Sequence, residues 1–157
     1  MKIAKKIAIA LLVILVAMQF YRPEKNTASG DYITAFKADT KPDAQITQIL
    51  ENACYDCHSD HTEYPWYNNI APVSYWIDHH VEEGKEHLDF SDWENYSLKK
   101  KDHKMDELIE EVEEGEMPLN EYTWTHGDAR LTEEQKHLLM EWAKKVREGY
   151  QATGELE

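Results

Sequence analysis

"TKPDAQITQILENACYDCHSDH", residues 40–61, holds both cysteines of the 157-residue chain, and its reading decides the fold. In its first half Pro42 is followed by Ile46, Ile49, Leu50 and Ala53 at helical spacing, with Thr40 as the candidate cap. A helix is therefore expected to run into the cysteines. The second half is Cys54-Tyr55-Asp56-Cys57-His58, a C-x-x-C-H. On a helix, residues at i, i+3 and i+4 share a face, so two thiols and an imidazole stand on one side. That spacing is the attachment pattern of c-type haem. Both thiols can form thioethers with the two vinyl groups along one haem edge, while the adjacent imidazole turns under the iron. Cys54 and Cys57 are the candidate attachment points for one covalent haem c, and His58 is the candidate axial ligand to its iron.

Three other readings of the cluster each leave something out. A plain disulfide suits an oxidising compartment but gives His58 no part. A thioredoxin-like pair belongs at the end of a strand in a βαβ unit, and no strand is visible in the pattern. A zinc site lacks a second C-x-x-C or a spaced histidine pair.

The second axial position takes a thioether, an imidazole or nothing. Met105 falls in an amphipathic stripe and Met140 beside an apolar helix face, so both read as core. Met117 differs, because it lies in "GEMPL" just after a helix stop, with Pro118 favouring an extended backbone. A loop methionine of this kind can aim its sulfur at iron, which makes Met117 the candidate second ligand. His79, His80 and His87 form the bis-histidine alternative, and two of them are adjacent and cannot share a helical face. His61 lies on the same side as His58, while His103, His126 and His137 are expected in solvent.

Upstream, "MKIAKKIAIALLVILVAMQFY" (residues 1–21) has Lys2, Lys5 and Lys6, no acid, and an apolar run beginning at Ile7. It reads as a signal or an uncleaved anchor, with no small-x-small cleavage site and no lipoprotein cysteine. The run is short of the ~20 residues a spanning helix needs, unless Ile3 and Ala4 extend it with Lys5 and Lys6 snorkelling. The lysines would keep the N-terminus in the cytoplasm, placing the rest in the cell envelope on the periplasmic side of the inner membrane. Residues 22–40 show Pro23, Gly30 and no sustained period, and read as a tether. Residues 41–150 are the expected haem-binding domain, with 151–157 as a tail.

Within that domain the texture is all-α, with no convincing strand. "SYWIDHHVEEGKEHL" reads as a helix that Gly84 interrupts or ends, and "SDWE" at 91–94 as a capping box. Met105, Leu108, Ile109 and Val112 mark a helix from Asp102 that Gly115 stops. "TEEQ" at 132–135 is a second capping box, opening a helix with Leu138, Leu139, Trp142 and Val146 on one face.

The segments "YPWY", "PVS", "H-x-x-E-G", "L-D-F-S-x-W" and "E-M-P" occur in order around the C-x-x-C-H, and with it they resemble the small haem-binding domain family of cytochrome c-like character. The resemblance covers roughly residues 45–145. It implies a small all-α, cytochrome c-like domain around one covalent haem, held by Cys54 and Cys57, with His58 proximal and Met117 distal. Tyr64, Trp66, Tyr67 and Trp76 would then wall the haem pocket.

Charge narrows the partners. The chain has 17 basic and 31 acidic residues, a formal charge of −14. Such a surface repels nucleic acid and suits a redox partner with a basic contact surface, while the N-terminal segment points to a membrane. The expected function is electron carriage with His58/Met117 ligation, without an enzymatic reaction. The alternative is a haem sensor or peroxidase-like enzyme with an open distal site, where His80 or His126 could serve as a distal acid-base group.

Overall fold

The computed structural model describes residues 2–154, and among them the regular structure is helical: α1 (Lys2–Met18), α2 (Thr34–Thr40), α3 (Ala44–Ala53), α4 (Tyr55–His58), α5 (Val73–His87), α6 (Leu98–Glu114), α7 (Asn120–Thr123) and α8 (Glu133–Ala152). An isolated antiparallel bridge between Thr27 and His61 is the β pairing found among the described residues. The all-α expectation holds. Residues 155–157 of the expected tail lie outside the described residues, and residues 151 and 152 continue α8.

The frame of the domain is α6 packed on α8. Met105, Leu108, Ile109 and Val112 of α6 are buried, as are Leu139, Ala143 and Tyr150 of α8. Each helix is closed by local chemistry. Ser97 Oγ accepts from Lys100 N, and Gly115 ends α6 at φ 81°, a left-handed conformation that favours glycine. Thr132 and Gln135 form the expected capping box of α8. The start of α6 differs, because the helix begins four residues before Asp102. "SDWE" forms only a 3-10 turn over Trp93–Asn95, with no side-chain cap.

Within residues 22–40, expected as a tether, the structure forms a helix at the C-terminal end. Residues 34–40 are α2, and Phe36 is fully buried at the centre of an aromatic cluster. Its ring lies 4.4 Å from Phe90 and 5.0 Å from Trp93 between centroids. Beside it the Asp39 carboxylate accepts from Trp93 Nε1 at 2.9 Å, Lys101 Nζ at 2.9 Å and Tyr150 Oη at 3.0 Å. Thr40, expected to cap α3, is instead the last residue of α2. Asp43 is the cap, its Oδ1 accepting from Gln45 N and Ile46 N, both at 2.9 Å. The chain turns between the two helices at Lys41, which has φ 47°.

α3 buries Ile46, Ile49 and Leu50 against this core and delivers the chain into α4, which lies against α5. α1 meets the domain only near its C-terminal end and leaves its apolar side chains from Ile3 to Val16 exposed. No helix among the described residues is long and apolar enough to cross a membrane.

Candidate functional site

α4 is a single turn in which Cys57 N and His58 N both donate to Cys54 O, at 3.2 and 3.0 Å. It is anchored at both ends. Cys54 N donates to Leu50 O at 2.9 Å, continuing α3, and Phe90 N donates to His58 O at 2.8 Å. The C-x-x-C-H therefore has the helical geometry its spacing implied.

His58 is held by one nitrogen. Its Nδ1 lies 2.9 Å from Leu88 O, and since a carbonyl only accepts, Nδ1 carries the proton and Nε2 keeps its lone pair. Burial lowers the His58 pKa from its ordinary value, against the opposing pull of the Leu88 carbonyl. A neutral imidazole, oriented by a carbonyl on its far nitrogen, is what a metal ligand requires.

The thiols are of a different kind. Both are free, and burial pushes the pKa of each up to about 12, with a further push on Cys54 from Cys57 and on Cys57 from Asp56. A redox pair works through a stabilised thiolate, and these thiols stay protonated at neutral pH. Nor do the described residues include a group of three His, Cys, Asp or Glu able to hold a metal ion, which removes support from the zinc reading.

A cleft of about 740 Å³, open to solvent, lies beside α4. Cys57, His58, His80, Gly84 and His87 line one part of it, and Met117, Pro118, Leu119 and Tyr122 the other. The structure thus brings His58 and Met117 to the lining of one space. Cys54 is half-buried against the core and does not line this cleft. Met117 N donates to Glu111 O at 3.1 Å at the end of α6, fixing where the loop departs. Met105 is fully buried and Met140 packs against the core, as expected.

A second cleft, of about 540 Å³, shares Cys57, His80, Leu119 and Tyr122 as walls and adds Tyr67, Trp76, Ile77 and Val81. Of the four aromatics expected to wall a haem pocket, Tyr67 and Trp76 line this second cleft and none lines the cleft of His58 and Met117. Trp66 is exposed, and Tyr64 Oη accepts from Asn26 N at 2.9 Å instead.

The histidines separate clearly. His79 is exposed beside Glu83, and His61 Nδ1 donates to Ala28 O at 3.0 Å, away from the first cleft. His80 lines both clefts with its Nδ1 donating to Trp76 O at 2.9 Å. His126 was expected in solvent, yet its ring stacks on Tyr122 at 4.1 Å and 11°.

Sequence reasoning missed three residues. Gly84 lies inside a continuous α5 and neither interrupts nor ends it. A Cβ there would stand 2.7 Å from Cys57 O, so the glycine lets α5 approach the cysteine turn. Asp56, between the two thiols, accepts from Tyr122 Oη at 2.7 Å and from Glu63 N at 2.9 Å. Tyr122 thereby ties the loop carrying Met117 to α4. Nothing in the one-dimensional pattern signalled that pair.

Residues 13–145 match the model of a family described as "Haem-binding domain". The chain belongs to the haem-binding domain family. No curated protein and no solved structure matches it. The residues of this haem-binding domain fit its cofactor. The His58 imidazole and the Met117 thioether line the first cleft, and the adjoining second cleft, which shares Leu119, is walled by Trp76, Ile77 and Val81; an imidazole, a thioether and apolar walls are a set suited to a planar macrocycle with a metal at its centre.

Proposed function

We propose that this haem protein is a c-type monohaem electron carrier of the cell envelope, with Cys54 and Cys57 as thioether attachment points and His58 and Met117 as axial ligands. The observation that carries the reading is the convergence of His58 and Met117 on one cleft beside α4. Bound haem supplies a reversible one-electron change at iron. The protein's own residues do the rest: Leu88 O orients His58, the thioether of Met117 favours a higher potential than a second imidazole would, and the apolar walls exclude water. Were His58 and Met117 both to hold the iron, no substrate site would remain at the metal. α1 is read as the membrane-seated segment, holding the domain on the periplasmic side through Lys2, Lys5 and Lys6 at its start.

The test is the visible spectrum of the full chain from a host that matures c-type haem, oxidised, then reduced, then with carbon monoxide. A low-spin spectrum with a weak ferric sulfur-to-iron band and no response to carbon monoxide is expected. Met117→Ala should keep haem attached while removing that band and admitting carbon monoxide; an unchanged variant would sink the Met117 assignment. One observation favours a second reading, a haem sensor or peroxidase-like enzyme. His80 lines the same cleft with its Nε2 unengaged by any hydrogen bond, as a distal acid-base group would. A high-spin wild type that binds carbon monoxide would select it.

A further inference from the structure

Of all the charged residues in this chain, none falls between Tyr64 and Ile77. Apart from the run that forms most of α1, no other uncharged stretch is as long, and the two meet. Gln19, the first residue past α1, makes a reciprocal pair with Ala71: its Nε2 donates to Ala71 O and its Oε1 accepts from Ala71 N, both at 3.0 Å. Tyr75 Oη donates to Met18 O and to Tyr21 O, and the Tyr21 and Tyr75 rings are 5.7 Å apart. Arg22 Nη1 donates to Asn69 O at 3.2 Å. α1 is therefore jointed to the domain, not strung from it.

The exposed large apolar side chains follow the same division. Outside α1 they are Phe20, Tyr21, Trp66, Ile70, Trp76 and Trp124. Five of these six lie in the joint or on the uncharged run, with Phe20 at 87% and Trp66 at 76% exposure. Aromatic rings with polar edges are the residues that settle at a membrane–water interface. Beyond the N-terminal segment, the uncharged run is the longest stretch free of the acids that would repel anionic headgroups.

The length of α1 gives the same answer. Its 17 residues rise about 26 Å at 1.5 Å per residue, against a hydrocarbon core of about 30 Å. A helix this short, tied at its end by these hydrogen bonds, draws the domain down to the bilayer surface instead of holding it away.

We propose that the Phe20, Tyr21, Trp66, Ile70 and Trp76 face of the domain lies in the interfacial layer of a phospholipid bilayer, held there by the joint between α1 and residues 69–75. This rests on reading α1 as membrane-seated. It fixes the orientation of the domain and puts the Tyr67–Trp76 side of the second cleft next to the membrane.

The test uses the full haem-loaded chain in phosphatidylcholine vesicles, with hydroxyl-radical footprinting read residue by residue by mass spectrometry. Flotation with the vesicles reports α1 separately. Trp66 and Trp76 should be labelled several-fold more slowly than their solvent exposure predicts, while exposed His103 and His137 react at the full rate. The protection should persist as the protein is diluted in lipid. It should be lost in the Gln19→Ala/Tyr75→Phe variant, which still floats. Chain that floats with Trp66 and Trp76 fully reactive overturns the face while leaving the anchor standing. Protection that vanishes on dilution assigns the face to a second copy and also overturns it. Chain that fails to float overturns the anchor reading, and this proposal with it.

Discussion

At the scale of single residues, Gly84 and Tyr122 hold the candidate site together without contributing a ligand. A Cβ on residue 84 meets the backbone carbonyl of Cys57 at 2.7 Å and Cys57 Cβ at 3.0 Å, and a carbonyl cannot swing aside as a side-chain tip would. Gly84→Ala must therefore push α5 away from α4. A loss of about 1–3 kcal/mol is expected, in line with overpacked cores, read as a lower denaturant midpoint and poorer haem loading. Tyr122→Phe removes one charge-assisted hydrogen bond, to Asp56 Oδ2, and leaves the ring stacked on His126. The expected loss is about 1.5–3 kcal/mol of hold on the Met117 loop. Its signature is specific, since the ferric sulfur-to-iron band should weaken and carbon monoxide should gain access while haem stays attached. A variant that is merely less stable, with that band intact, would show that the tyrosine does not position Met117.

At the scale of elements, α2 contributes more to the core than its seven residues suggest. Phe36 has no exposed surface and touches Phe90, Trp93 and Trp142, while Asp39 gathers three donors from three other segments. Burial alone would raise the Asp39 pKa, but hydrogen bonds from Lys101, Trp93 and Tyr150 outweigh it and hold the carboxyl below its ordinary value. A carboxyl lowered on folding binds fewer protons when folded than when unfolded. Its stabilisation is therefore complete above the ordinary carboxylate range and disappears as pH falls through the lower folded value. Asp39→Asn should be less stable than wild type by about 1–2 kcal/mol at neutral pH, a figure kept small by partial solvation, and the two should converge below about pH 4. Urea midpoints across pH check both points. α2 was illegible in the sequence because it has two turns, one aromatic anchor and no repeat of its apolar period, so it looked like a linker. The long helices were legible for the opposite reason: Met105 to Val112 and Leu138 to Val146 repeat the helical period over several turns. The local turn of C-x-x-C-H was legible too, being encoded within five residues. The Tyr122–Asp56 tie spans 66 positions, and Gly84 meets Cys57 across 27, so neither could be read from neighbours in the chain.

On the scale of the whole molecule, charge is distributed so that one approach to the cleft is favoured. His80 and His87 line the cleft from α5, and the same helix exposes Glu82, Glu83 and Glu86. Met117 lines it from the loop after α6, where Glu113, Glu114 and Glu116 are exposed. The net charge of −14 adds a long-range field of the same sign. On the proposed electron-carrier reading, a positively charged reagent is steered toward the cleft by this field, and a negatively charged one is turned away. Electron exchange with a cationic partner should therefore be fast at low salt and slow by roughly tenfold or more as ionic strength rises past 0.1 M, where the Debye length falls to about 10 Å. An anionic partner should show the reverse dependence. The double variant Glu83→Lys/Glu116→Lys should flatten both curves while leaving the thermal midpoint nearly unchanged, since both side chains are exposed and Glu116 makes no ion pair in the described structure. Stopped-flow rates with one cationic and one anionic reagent, each taken across a salt series, measure this directly. Rates that depend on salt equally for both reagents would mean that the acids around the cleft serve solubility alone and do not select the partner.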